Sequence, residues 1–225
     1  LDRSSAASDV YKRQFLDKTQ PNLEAQLCNL ADEIAYNAHD IDDGVRSGLL
    51  SFAQLQEVPL FKAFSAQALQ QHPALGQARH LKRWLYESIR LMLSAQVYDL
   101  MDATQAVLDA VQPASVAAVR LQGRGLVCFS AEMRAQSQAM KAFLFSQLYR
   151  HPQVMQTMQQ AKEVIADLFA AYCNSPAHMQ GDGPPPGNPQ AVSLERRVAD
   201  YIAGMTDRFA LREHERLTGR RLFAA

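Results

Sequence analysis

The sequence predicts an all-α fold, and three observations carry that prediction. Apolar residues recur at spacings of three and four through three long stretches, residues 23–44, 77–111 and 152–172. Alternation of the kind that marks strands is almost absent; residues 126–129 alone read as a short strand or an extended entry. Proline and glycine fall between the periodic stretches and not within a strand-turn rhythm.

The opening residues 1–19 show neither period and read as a disordered or non-native tail. Asn22 then offers an N-cap with Glu24 in the first turn. The stretch 23–44 puts Leu23, Leu27, Leu30, Ile34, Ala38 and Ile41 on one face. Cys28, Asp32, Tyr36 and Asp40 form a second row at four-residue spacing. That row can be a solvated polar face. It can also be a site, because Asp40, Asp42 and Asp43 crowd a helix end that is already negative and need a cation or donor, part of which Arg46 supplies. Gly44 and Gly48 are expected to break this helix, and Ser51 to cap a short one that ends near Pro59.

Another short helix is expected over 61–71, then the longest one over 77–111, stopped by Pro113. Its stripe is Leu81, Leu85, Ile89, Leu93, Val97, Leu100, Thr104, Val107 and Val111, with Trp84 and Tyr86 as packing residues. Ser130 caps the next helix, which turns Met140, Leu144, Phe145 and Leu148 inward. Pro152 starts a helix with the stripe Val154, Met158, Ala161, Ile165, Leu168 and Tyr172. Residues 174–190 hold GDGPPPGNP and read as a surface loop; two short amphipathic helices follow and end near Gly219.

Composition excludes several functions. Lysine plus arginine, 23, equals aspartate plus glutamate, 23, so no global field favours nucleic acid as a partner. Three widely spaced cysteines without a CxxC pair suggest neither disulfides nor a zinc cluster, which fits a cytoplasmic protein. No apolar run approaches the roughly 18–20 residues of a membrane span. P-loop, Rossmann, HExxH and GxSxG patterns are absent. Lys141 and Tyr149, two turns apart, and His151 after them can be a solvated helix end or part of a site.

The run ADEIAYNAHDIDDGVRSG resembles the last metal-ligand helix of the HD-domain deoxynucleoside triphosphate triphosphohydrolases, the dGTPase-like proteins. KAFLFSQLYRHP, residues 141–152, resembles the start of that family's phosphohydrolase-associated region, and DYIAGMTDRFAL its final helix. The resemblance covers about residues 22–217. It implies an HD-type bundle remnant over 20–75, a connecting helix and loop over 76–122, and a phosphohydrolase-associated helical domain over 123–225.

It further implies that Asp32 is a ligand of a divalent metal, Mg or Mn. Tyr36 would face the substrate phosphates and Asp40 the sugar 3′-hydroxyl. Lys141 would meet a phosphate, with Tyr149 and His151 around the sugar and triphosphate. The implied reaction cleaves a deoxynucleoside triphosphate to deoxynucleoside and tripolyphosphate, in a homo-oligomer. His39-Asp40 belongs to the later HDxDDG run and is not the doublet that names the family. The family's earlier histidine and His-Asp doublet have no counterpart before Asn22, so this chain is expected to be a C-terminal part that is inactive alone. The alternative is a non-catalytic helical module that senses nucleotides or binds partners.

Overall fold

The computed structural model describes residues 19–179 and 193–223, so the predicted tail up to residue 18 and the GDGPPPGNP stretch lie outside the described residues. Among the described residues there are nine α-helices and no strand. They form two compact units, which divide between Tyr149 and Arg150.

In the first unit, α1 (Leu23–Arg46) begins as the sequence predicts, with the Asn22 side chain accepting from the Ala25 backbone N–H at 3.1 Å. Its inward face is rotated from the expected stripe: Ile34, Ala38 and Ile41 are buried, but Leu27 is 48% exposed and Gln26 is buried in its place. Gly44 does not break the helix. It lies inside it, where a β-carbon would come within 2.6 Å of Leu50, so glycine permits a close approach here. Gly48, with φ of 77°, makes the turn that follows.

Helix α2 (Phe52–Leu55) is held by a capping box between Ser51 and Gln54, and α3 (Pro59–Gln71) starts with proline in its first turn. Helix α3 packs along α4 (Leu81–Val111), and the Trp84 indole N–H donates to the Ser65 carbonyl at 2.9 Å. The tight line of α4 is Leu85, Ser88, Met92, Gln96 and Leu100; Leu81 and Tyr86, expected to pack, are exposed. Gln112 ends α4 in the left-handed region, one residue before Pro113. Helix α5 (Val116–Arg120) is a single turn that the pattern did not foretell.

Residues 126–129 are not a strand, although Leu126, Val127 and Phe129 are buried. Their backbone must find partners elsewhere. The Gln26 carbonyl oxygen accepts from the N–H groups of Leu126, at 2.7 Å, and Val127, at 3.2 Å. Thr104 accepts from Cys128 N–H at 3.1 Å, and Asp99 accepts from Ser130 N–H at 2.9 Å. Three side chains thus replace a sheet ladder. Helix α6 (Ala131–Leu144), capped by Ser130, runs into a π-helical turn at Phe145–Tyr149. That turn carries Phe145 outward, to 53% exposure, while Leu148 stays buried.

The second unit packs α7 (Pro152–Asn174) against α8 (Leu194–Ala203) and α9 (Asp207–Thr218), with a short helical turn at Pro176–His178. Its core is Val164, Leu168, Tyr172 and Val198; Met158 and Ile165 of the expected stripe are exposed. Two polar residues of α9, Glu213 and His214, are buried. His214 meets Asp167 at 2.9 Å, and Glu213 accepts from the Tyr172 hydroxyl at 2.9 Å and from Arg216 at 2.6 Å. Among the described residues, Arg220 pairs with Asp167 at 3.2 Å and with Glu163 at 3.8 Å, which together with the His214–Asp167 contact ties α9 and its end to α7.

Removing Gln26 leaves two buried N–H groups without partners. Gln26→Ala is expected to cost about 2–4 kcal/mol in urea unfolding followed by Trp84 fluorescence, whereas Leu27→Ala stays within about 0.5 kcal/mol. In the second unit, the Arg216 hydrogen bond holds the Glu213 carboxyl below its usual 4.5. A lowered folded value means stability that is present above about pH 4.5 and lost as pH falls through the folded value. Thermal unfolding followed by near-ultraviolet dichroism of Tyr172 and Tyr201 is expected to show that acid limb, and Glu213→Gln to remove it.

Candidate functional site

Helix α1 and the end of α6 flank a cleft of about 740 Å³. Its α1 wall is Asn29, Asp32, Glu33, Tyr36, Asn37 and Asp40; its other wall includes Lys141, Leu144, Phe145 and Tyr149. The spacing explains the first wall. Residues 29, 32, 36 and 40 follow one helical ridge, and 33, 37 and 40 the neighbouring one, which looks toward α6. The π-helical turn explains the second: an added residue per turn moves Tyr149 relative to Lys141 while both still reach the cleft.

Two polar contacts cross it. The Lys141 ammonium lies 2.9 Å from Glu33, whose other oxygen accepts from the Ser137 hydroxyl at 3.3 Å. Lys141 is about half exposed, so the pair is worth about 1 kcal/mol or less. The Tyr149 hydroxyl donates to Asp40. That hydrogen bond, then burial, pushes the phenol up to about 12. Tyr36 is 66% exposed, with its ring at the cleft mouth, and Asp32 is exposed beside it. Asn37 is 7% exposed, and its amide nitrogen has no hydrogen-bond partner.

Of the residues singled out from sequence, five therefore line one cleft: Asp32, Tyr36, Asp40, Lys141 and Tyr149. His151 opens the second unit as the N-cap of α7, its Nδ1 accepting from Gln153 N–H at 3.4 Å. His39 is exposed and does not line the cleft. Glu33 and Asn37 were missed. The partners of Glu33, Ser137 and Lys141, lie more than 100 residues along the chain on another helix and leave no local signal, although Asn37 sits four residues after Glu33 and three before Asp40.

At the far end of α1, Arg46 pairs with Asp43, and with Asp42 at 3.7 Å, which answers the carboxylates crowded there. Among the described residues no three histidine, cysteine, aspartate or glutamate side chains group closely enough to hold a metal ion. Asp32 supplies one carboxylate where a site needs several, so the described residues do not by themselves fit a divalent metal. A second cleft of about 430 Å³ lies between the end of α3 and the start of α4, lined by His72, His80, Arg83 and Glu87 among others.

Residues 127–216 match the phosphohydrolase-associated domain family. The chain is 43% identical over 204 residues to a deoxyguanosinetriphosphate triphosphohydrolase-like protein of Bordetella pertussis, covering 91% of this chain and 51% of that protein. Like-named proteins of Ralstonia nicotianae and Parvibaculum lavamentivorans are 42% identical over 206 residues and 39% identical over 218. These matches cover 91% and 96% of this chain, and 51% and 54% of the relatives. The chain spans about half the length of the curated relatives it matches.

The Asp40 contact predicts a titration. By NMR of ring-labelled tyrosine, Tyr149 is expected to lose its proton near 12, and at a lower pH, shifted toward the ordinary 10, in Asp40→Ala. The folded value is raised, so the stabilisation holds below about pH 10 and is lost as pH rises through about 12.

Proposed function

This chain belongs to the deoxyguanosinetriphosphate triphosphohydrolase-like family, as its C-terminal part, and on that premise we propose that its cleft is the nucleotide-binding side of a deoxynucleoside triphosphate triphosphohydrolase. What supports the reading is the convergence of Asp32, Tyr36, Asp40, Lys141 and Tyr149, drawn from two distant stretches of sequence, on one cleft.

The roles follow from the side chains. Lys141 places a positive charge on the triphosphate, and Tyr36 at the mouth offers its hydroxyl to the phosphates. Asp40 accepts from the sugar 3′-hydroxyl, which then shares or replaces the bond from Tyr149. Tyr149, kept neutral, presents an O–H donor and a ring edge to the sugar. Asp32 would be one ligand of a divalent ion, Mg or Mn, held together with further ligands.

The reaction is hydrolysis. Water attacks the α-phosphorus and the bond to the sugar 5′-oxygen breaks, which releases a deoxynucleoside and tripolyphosphate. A divalent ion, when bound, would supply polarisation of the phosphate and a more acidic water. The whole enzyme is proposed to work as a homo-oligomer.

With one metal carboxylate, the purified chain is expected to release no tripolyphosphate from dGTP in Mg²⁺ or Mn²⁺, and to bind dGTP with a Kd on the order of millimolar. Turnover abolished by Asp32→Ala would contradict the half-site assignment. Binding in the micromolar range without metal would favour a nucleotide sensor instead.

A further inference from the structure

Asn37 has a donor and no acceptor. Its side chain is 7% exposed and its Nδ2 makes no hydrogen bond, although carboxylates stand on the same helix one turn before it, Glu33, and one turn after, Asp40. Those spacings bring side chains into contact. Both carboxylates are drawn across the cleft instead, Glu33 to Lys141 at 2.9 Å and to Ser137 at 3.3 Å, Asp40 to Tyr149. A buried donor in this position costs free energy now, and would be satisfied in an arrangement that released either carboxylate.

We infer that Glu33 is a placeholder for the anionic ligand at Lys141, and that Asn37 is the donor that receives the Glu33 carboxylate when the ligand displaces it. The inference rests on the reading that Lys141 meets a phosphate chain. The two events are coupled by charge. A half-exposed lysine gives up a single carboxylate readily to a ligand that bears several negative charges. The same ligand then repels Glu33, which needs a donor away from it, and the Asn37 amide lies four residues along the helix.

Glu33 and Asn37 are thus positioning residues. Before binding, Glu33 holds the ammonium in the cleft; afterwards, Asn37 holds Glu33 out of it. The device also selects by charge. A nucleoside or other neutral ligand cannot displace Glu33, whereas a polyphosphate can.

The probe is inorganic tripolyphosphate, titrated at low salt into the 225-residue chain, with Kd read from NMR shifts around the cleft and folding checked by Trp84 fluorescence. Lys141→Ala is expected to weaken binding. Glu33→Gln, which keeps the side chain's shape, should tighten it about two- to fivefold, with Glu33→Ala acting in the same direction. The gain should vanish in the Glu33→Gln, Lys141→Ala double variant, because the placeholder acts through Lys141. Asn37→Leu should weaken binding while leaving the thermal midpoint unchanged or raised, since it removes no bond from the free protein.

A Glu33→Gln affinity equal to that of the unaltered chain, or a gain that survives Lys141→Ala, overturns the placeholder. Unchanged affinity in Asn37→Leu overturns the receiving role. Should Lys141→Ala weaken binding while Glu33→Gln does nothing, the phosphate reading stands and this inference alone falls. Binding that is absent, or indifferent to Lys141→Ala, removes the reading and the inference together.

Discussion

The rotation of helix α1 is the constraint on which the first unit depends. One helix must turn Ile34 toward Leu100, Val127 and Phe129, turn Ile41 toward the core of Met92, Met140 and Leu144, and still aim Glu33 and Asp40 at α6. At 100° per residue these demands leave little freedom. Gln26 at the start, fixed to the 126–127 backbone, and Gly44 at the end, pressed on Leu50, pin the helix at both ends. A slight turn would bury Leu27 and pull Gln26 off two backbone donors. The cleft is therefore a by-product of how the core is packed.

Much of this was legible in the sequence because it is local. The Asn22, Ser51 and Ser130 caps, the proline start of α7, and the left-handed Gly219 after α9 each follow from a residue and its neighbours. Asp32, Tyr36 and Asp40 were legible as a row for the same reason. Lys141 and Tyr149 needed a likeness to a known family, since nothing in their own stretch distinguishes a site from a solvated helix end.

What failed to show depends on contacts between distant stretches. Leu27 reads as core by hydrophobicity, and Gln26 as surface, until the buried backbone at 126–127 asks for an acceptor. Phe145 reads as inward on a 3.6-residue period that the π-helical turn interrupts. In α9, Glu213 and His214 look like a charged surface pair but are buried, because Tyr172, Arg216 and Asp167 complete them. Periodicity reports which face is apolar. It is silent on which polar groups have partners waiting.

The central claim is that the α1–α6 cleft, and not the cleft beside His72 and His80, takes the nucleotide. The most direct measurement is a map of NMR shift changes over the whole chain as dGTP is added. The account predicts changes concentrated at Asp32, Tyr36, Asn37, Asp40, Lys141 and Tyr149. Changes concentrated instead around His72, His80 and Arg83, or none up to millimolar dGTP, would contradict it.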